Sequence, residues 1–219
     1  MTRVQIRNLI RKSLGETTAA FWTNDELNLW IEDACDDLAF RAKCIRDDGL
    51  MTPVVSTAEY TLSTYFPTAI AVLEVYYYQN ATTWEKLDPT DRERLNLEHP
   101  GWMSAAAGTP SEYYWSREED LLGFYVKPNS TNAGTNYAKV YYAKTHTDIS
   151  AESVEPDIPL NLQPAIVEFV TARGFDTRGW GDKGNDRWQK YYSKIKDYQI
   201  ERNREREDDE IISKNYRNI

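Results

Sequence analysis

Residues 111–128 read SEYYWSREEDLLGFYVKP, which predicts a strand, a short polar turn and a second strand. Side chains alternate along a strand. Tyr113 and Trp115 therefore share one face of the first strand, while Tyr114 points the other way between Glu112 and Ser116. In the second strand Leu122, Phe124 and Val126 share a face, with Leu121 and Tyr125 opposite. An antiparallel sheet with one wet face alternates apolar with polar. This hairpin carries aromatic rings on both faces, so something has to cover the second. The segments AIAVLEVYYYQ (69–79) and NYAKVYYAKTH (136–146) repeat the pattern. The cover is either the chain's own helices or another copy of the protein, and the pattern alone leaves both open.

Outward from these strands, the texture from Thr52 to about Thr145 is β-rich. PVVS and EYTLS predict a small hairpin. In DPTDRERLNLEH (88–99), Asp88 as cap and Pro89 at the first helical position predict a short helix. PNSTNAGTN, between the last two strands, is a long loop rather than a tight turn. Helices flank this region. TNDELNLWIEDACDDLAFRAKCIRDDG (23–49) opens with a Thr23–Glu26 capping box. It continues with Leu27, Trp30, Ile31, Ala34, Leu38, Ala42 and Ile45 at three- and four-residue spacing, with Gly49 as the stop. A short helix around Val4–Leu14 precedes it. LNLQPAIVEFVTARGF is apolar nearly all round and predicts a buried, central helix. A last helix puts Trp188, Tyr191, Tyr192, Ile195 and Tyr198 on one face, and its apolar period stops after Arg202.

The expected architecture is α+β and mainly α: a helical bundle with an inserted antiparallel sheet and hairpin region, and an extended C-terminal tail. Its parts are 1–51 (N-terminal helices), 52–147 (β-rich insertion), 148–202 (C-terminal helices) and 203–219 (flexible tail).

Composition narrows the function classes. The chain has 219 residues with a net charge of −9, which argues against a dedicated duplex-DNA reader, whose affinity rests on phosphate neutralisation. No apolar run reaches the length of a membrane span, and MTRVQIRNLIRKSLG lacks the apolar core of a signal peptide. Synthesis in the cytoplasm is expected. Cys35 and Cys44, nine residues apart on the expected helix, fall on opposite sides and about 13 Å apart along its axis. They can neither bond nor share a metal there. The unusual numbers are 15 tyrosines and 7 tryptophans, residues enriched where surfaces meet.

Chemistry is sparse. His99 and His146 sit in no Cys/His ligand spacing, and no Gly-x-Ser-x-Gly elbow is present. GWGDKG (179–184) matches a dinucleotide fingerprint by letter, but it follows a helix where that motif requires a strand. It is better understood as a helix–helix connector. Glu32, Asp33, Asp36 and Asp37 form an acidic helix face, expected to be solvated. The last helix is richer in Lys and Arg than in Asp and Glu, a weak basis for a nucleic-acid-binding module. Neither an enzyme nor a cofactor is expected.

WTNDELNLWIEDACDDLAFRA resembles the opening helix of tailed-bacteriophage head-to-tail adaptor proteins, also called head-completion or connector proteins. Trp22, Thr23, Glu26, Leu27, Trp30, Ile31, Ala34, Asp37, Leu38 and Ala39 carry the likeness. The order GTPSEYYW, LLGFYVKP, KVYYAKTHTDIS and the later PDIPLNLQPAIVEFVTARGF are similar to the same family, so the resemblance runs from about residue 20 to 200. It implies a structural protein of the virion neck. Copies would form a ring, usually dodecameric, beneath the portal, extending the DNA channel without binding DNA specifically and offering a platform to a tail or stopper protein, with no membrane involved. Other neck or tail roles, such as stopper or terminator, are the alternative. The resemblance makes Tyr76, Tyr78, Tyr113, Tyr114, Trp115, Tyr125, Tyr141 and Tyr142 candidates for subunit contacts. Ile211, Ile212, Tyr216 and Ile219 are candidate anchors on the portal.

Overall fold

The computed structural model describes residues 1–16, 19, 21–79 and 83–216, with side chains as far as Arg204. In chain order the elements are α1 (Arg3–Leu14), α2 (Asn24–Ala42), β1 (Arg46–Met51), β2 (Glu59–Thr61), α3 (Leu62–Tyr65), β3 (Ala69–Gln79), β4 (Thr83–Lys86) and β5 (Asp88–Pro89). They continue with α4 (Arg92–Glu98), a 3-10 turn (Trp102–Ser104), β6 (Glu112–Ser116), β7 (Leu121–Tyr125), β8 (Ala138–Lys144), α5 (Gln163–Thr177) and α6 (Gly181–Tyr216). They fall into two compact units, Met1–Ile45 with His146–Ile219, and Arg46–Thr145.

In the first unit the helix starts follow from the sequence. At α2 the Glu26 N–H donates to Thr23 Oγ1 at 3.1 Å while the Thr23 N–H donates to Glu26 Oε2 at 2.8 Å, a reciprocal box that satisfies two orphan donors. Thr2 and Gln5 repeat it at α1. α5 is the central element and packs against α1, α2 and α6. Ile6, Ile10, Leu14, Trp22, Leu27, Ile31, Leu38, Ile166, Val170 and Tyr191 form one buried core. α2 stops sooner than its apolar spacing suggests. Lys43 takes a left-handed conformation at its C-cap, and the chain turns so that Arg46–Met51 can pair with β8. Gly49 is therefore in mid-strand, not a helix stop. It is needed because a Cβ there would lie 2.5 Å from the ring of Phe66.

The second unit is a sandwich of two four-stranded sheets. The first has the order β1-β8-β3-β4, and the second β2-β7-β6-β5. Every pair is antiparallel except the two-residue β5–β6 pair. Met51, Val75, Tyr77, Ala138 and Val140 from the first sheet meet Tyr60, Tyr113, Leu122 and Phe124 from the second in one core. The Tyr77 and Phe124 rings touch edge to face at 5.5 Å.

This corrects the expected architecture. Among the described residues there are six α-helices and two four-stranded sheets, so the molecule is mixed α/β rather than a mainly α bundle with one inserted sheet. The physical reason lies in the strands that escaped notice. β2, β4 and β5 hold two to four residues each, too few to show a period of two. β1 (RDDGLM) opens with three exposed charged residues. Two finer expectations change with it. PVVS does not pair with EYT, whose partner is β7. Asp88 and Pro89 belong to β5, and the true cap of α4 is Asp91, whose Oδ1 accepts the Arg94 N–H at 2.7 Å. Residues 203–216, read from sequence as tail, continue α6 as helix, in keeping with the high helix propensity of their Arg and Glu residues.

Candidate functional site

Alternation along β3 and β8 divides their side chains between two environments. Val75 and Tyr77, with Val140 and Tyr142, point into the sandwich, and the residues between them point outward. On the outer face Tyr141 lies opposite both Glu74 and Asp48, and Lys139 opposite both Tyr76 and Leu50. On β4, Lys86 faces Tyr76 and Trp84 faces Tyr78.

The rings on this face touch in two groups. Tyr76 meets Tyr141 edge to face at 5.6 Å, Tyr78 meets Trp84 at 4.9 Å, and Tyr78 meets Tyr137 at 5.4 Å. Charges are laced between them. Lys139 Nζ sits 4.7 Å above the Tyr141 ring and 3.1 Å from Asp48, and Lys86 Nζ sits 3.0 Å from Glu74. The Tyr141 and Asp48 side chains hold the Lys139 ammonium above its ordinary value. Trp84 is 41 % and Leu50 47 % exposed. Chemically the face offers flat rings with polar tips and paired charges, the surface type from which protein–protein hot spots are built.

A family model described as SU10 adaptor protein matches residues 1–211. The chain belongs to the SU10 adaptor protein family. It is a structural adaptor of the phage virion, a component of the neck, and the family implies portal and tail components as its partners. No curated protein matches the chain.

The adaptor's tyrosine candidates separate into two groups. Tyr76, Tyr78 and Tyr141 come together on the open face just described. Tyr113 and Tyr114 are 4 % and 2 % exposed, and Tyr142 is buried against Phe66. Trp115 is half-buried against the sandwich core, and Tyr125 is half-buried beneath His99, with ring centroids 4.5 Å apart. The second face of the 111–128 hairpin is thus covered by the adaptor itself. Tyr114 packs with Ala58, Leu95 of α4 and Trp102 of the 3-10 turn. It lies flat across Gly123, where a Cβ would come within 2.1 Å of the ring. Its hydroxyl donates to Glu59, which also pairs with Arg92.

Sequence reasoning missed Trp84, Leu50 and Lys139. The only available signal was a tryptophan in the short TWEK strand. Of the portal candidates, Ile211, Ile212 and Tyr216 fall on α6 where side chains are not described, and Ile219 lies outside the described residues.

The expected solvated acidic face of α2 is largely paired. Glu32 meets His146, Asp33 meets Arg173, and Asp37 bonds Arg41 and the Tyr191 hydroxyl. Among the described residues no group of His, Cys, Asp and Glu could hold a metal ion, and no helix is long and apolar enough to cross a membrane. Cys35 and Cys44 are free and buried. Burial pushes the Cys44 thiol up to about 12.

Proposed function

We propose that this adaptor assembles with copies of itself into a closed ring beneath the portal, and that the outer face of the first sheet is where neighbours meet. The supporting observation is the set of Tyr76, Tyr78, Trp84 and Tyr141, partly exposed and touching in two pairs, Tyr76 with Tyr141 and Tyr78 with Trp84, with Lys139, Lys86, Glu74 and Asp48 between them. The charges keep the face soluble on a free subunit, and the rings supply the area that a partner can desolvate. A contact between unlike surfaces of neighbouring copies closes into a ring when the rotation between them closes. A twelve-fold ring matching the portal is the expected number. The ring extends the DNA channel, and the chain's net charge of −9 suits passage of a polyanion without adhesion. Its far side receives the tail or a stopper protein. Residues 203–219 make the portal contact through Ile211, Ile212, Tyr216 and Ile219. The subunit is made in the host cytoplasm and joins the virion at the neck.

The test is to mix the purified chain with its portal and follow particle mass and electron micrographs, for the full chain and for a chain ending at Arg206. The expected result is a monomer or weak associate alone, a ring on the portal with the full chain, and loss of attachment on truncation with unchanged melting. A stable dimer indifferent to portal contradicts the reading. Full-strength attachment by the truncated chain removes the last residues from it.

A further inference from the structure

Where the chain re-enters the first unit after β8, an imidazole is held between two carboxylates. The His146 side chain is 0 % exposed. Its Nδ1 faces Asp157 Oδ1, and its Nε2 faces Glu32 Oε2 at 3.1 Å. The remaining oxygens of both acids are already accepting. Glu32 Oε1 takes the Ile149 N–H at 3.2 Å and lies 3.6 Å from Arg3 Nη1, and Asp157 Oδ2 takes the Thr147 N–H at 3.2 Å. An ionised carboxylate only accepts, and a neutral imidazole has one N–H. Arg3 and the two backbone N–H groups favour the ionised acids, and two acceptors facing the ring favour a proton on each of its nitrogens.

We infer that His146 is a proton-gated clasp: as an imidazolium it ties Glu32 of α2 to Asp157, and loss of one ring proton loosens residues 146–149 from α2, while Asn28 and Arg7 still hold Glu152. After that loss, one ring nitrogen turns a lone pair toward a buried carboxylate oxygen, and that contact becomes repulsive. The two backbone N–H bonds that follow it, from Thr147 and Ile149, lose the geometry that holds them.

Among the described residues, the charged and titratable groups nearest the ring bear on its state. From α2 come Glu32, Asp36 and the neutral Cys35 thiol. From α1 comes Arg3, and from the segment itself Asp148 and Asp157. Acids outnumber the one arginine. Burial by itself disfavours the imidazolium, but Asp157 and Glu32 outweigh it and hold His146 above its ordinary value. Burial likewise opposes ionisation of Asp157, and the His146 and Thr147 hydrogen bonds outweigh it and hold that carboxyl below the usual range. The signs follow from linkage. The histidine contribution is fully present below the ordinary imidazole value of about 6.5 and is lost as pH rises through the raised value. The Asp157 contribution is present above the ordinary carboxylate value and is lost as pH falls through the lowered one. The clasp is therefore closed in mildly acidic solution and opens toward alkaline pH. This inference does not depend on ring formation.

The test is nitrogen-15 NMR of the full chain from pH 5 to pH 9, with imidazole signals assigned by comparison with His146→Gln. The expected result is a ring protonated on both nitrogens at pH 6 and a midpoint above 6.5. Intrinsic-rate-corrected amide protection at Thr147 and Ile149 should fall at least tenfold across the same range, and Asp157→Asn should lower the midpoint. In His146→Gln the protection should no longer follow pH. If that variant does not fold, Glu32→Gln, which leaves the imidazole in place, should likewise lower the midpoint. A ring neutral at pH 6, or protection that ignores the His146 titration, overturns the clasp.

Discussion

The two outer faces of the sandwich begin from similar material and end differently. The second sheet presents Tyr114 and Tyr125, and the chain lays over them α4, with His99 at its end, and the 3-10 turn that carries Trp102. The first sheet presents Tyr76, Tyr78, Trp84 and Tyr141, and leaves Trp84 and Leu50, on its two edge strands, largely open. What separates the two is the company the rings keep. Tyr114 lies over a glycine and packs among Ala58, Leu95 and Trp102, with the Arg92–Glu59 ion pair at its hydroxyl end. The open face alternates its rings with Lys139, Lys86, Glu74 and Asp48, each charge paired across strands. Aromatic content shows that a face will be covered. On the proposed reading, the charges between the rings mark the face whose cover comes from a partner.

The largest effect should come from uncovering the closed face. Trp102→Ala or Tyr114→Ala removes a buried ring from the contact between the 3-10 turn and the sheet and should cost about 3–5 kcal/mol in urea denaturation of the isolated chain. A loss under about 1 kcal/mol breaks the comparison, because that face would then not depend on its cover. Gly123→Ala should come next. Its methyl group must displace the Tyr114 ring, so a loss of about 1–3 kcal/mol is expected, and Tyr114→Ala in the same chain should abolish most of the added penalty. A double-mutant cycle on Lys86 and Glu74 should give the smallest value. Coupling across an exposed pair of about 0.2–1 kcal/mol, falling as salt is raised, fits a solubilising role. A larger, salt-independent coupling means that face is already closed.

How much of this was legible in the sequence depended on strand length and on what lay opposite each strand. β3, β6, β7 and β8 are visible as alternating runs, and the capping boxes of α1 and α2 are visible as well. β1 hides its pairing behind Arg46, Asp47 and Asp48, and Gly49 resembles a helix stop because nothing local reveals the Phe66 ring against it. α4 looks too short to matter, yet Leu95 decides which face of the hairpin is closed. The tyrosine candidates were divided by tertiary contacts that no local pattern encodes. Tyr113 and Tyr114 are adjacent and both buried, one in each core of the unit. Tyr76 and Tyr141, distant in sequence, form one surface because β3 and β8 pair in register. The clasp around His146 joins residues from α1, α2 and the return segment, and a search by spacing could not find it.

The measurement that bears most directly on the open face as the assembly surface is portal-dependent ring formation by the Tyr76→Ser, Tyr78→Ser double variant, read by particle mass beside the thermal melt of the free chain. If neighbours meet on the outer face of β3 and β8, the variant should melt within a few degrees of the parent and yield no rings. Rings at the parental yield contradict that assignment, and a collapse of the free chain's own stability shows that these rings serve the fold instead.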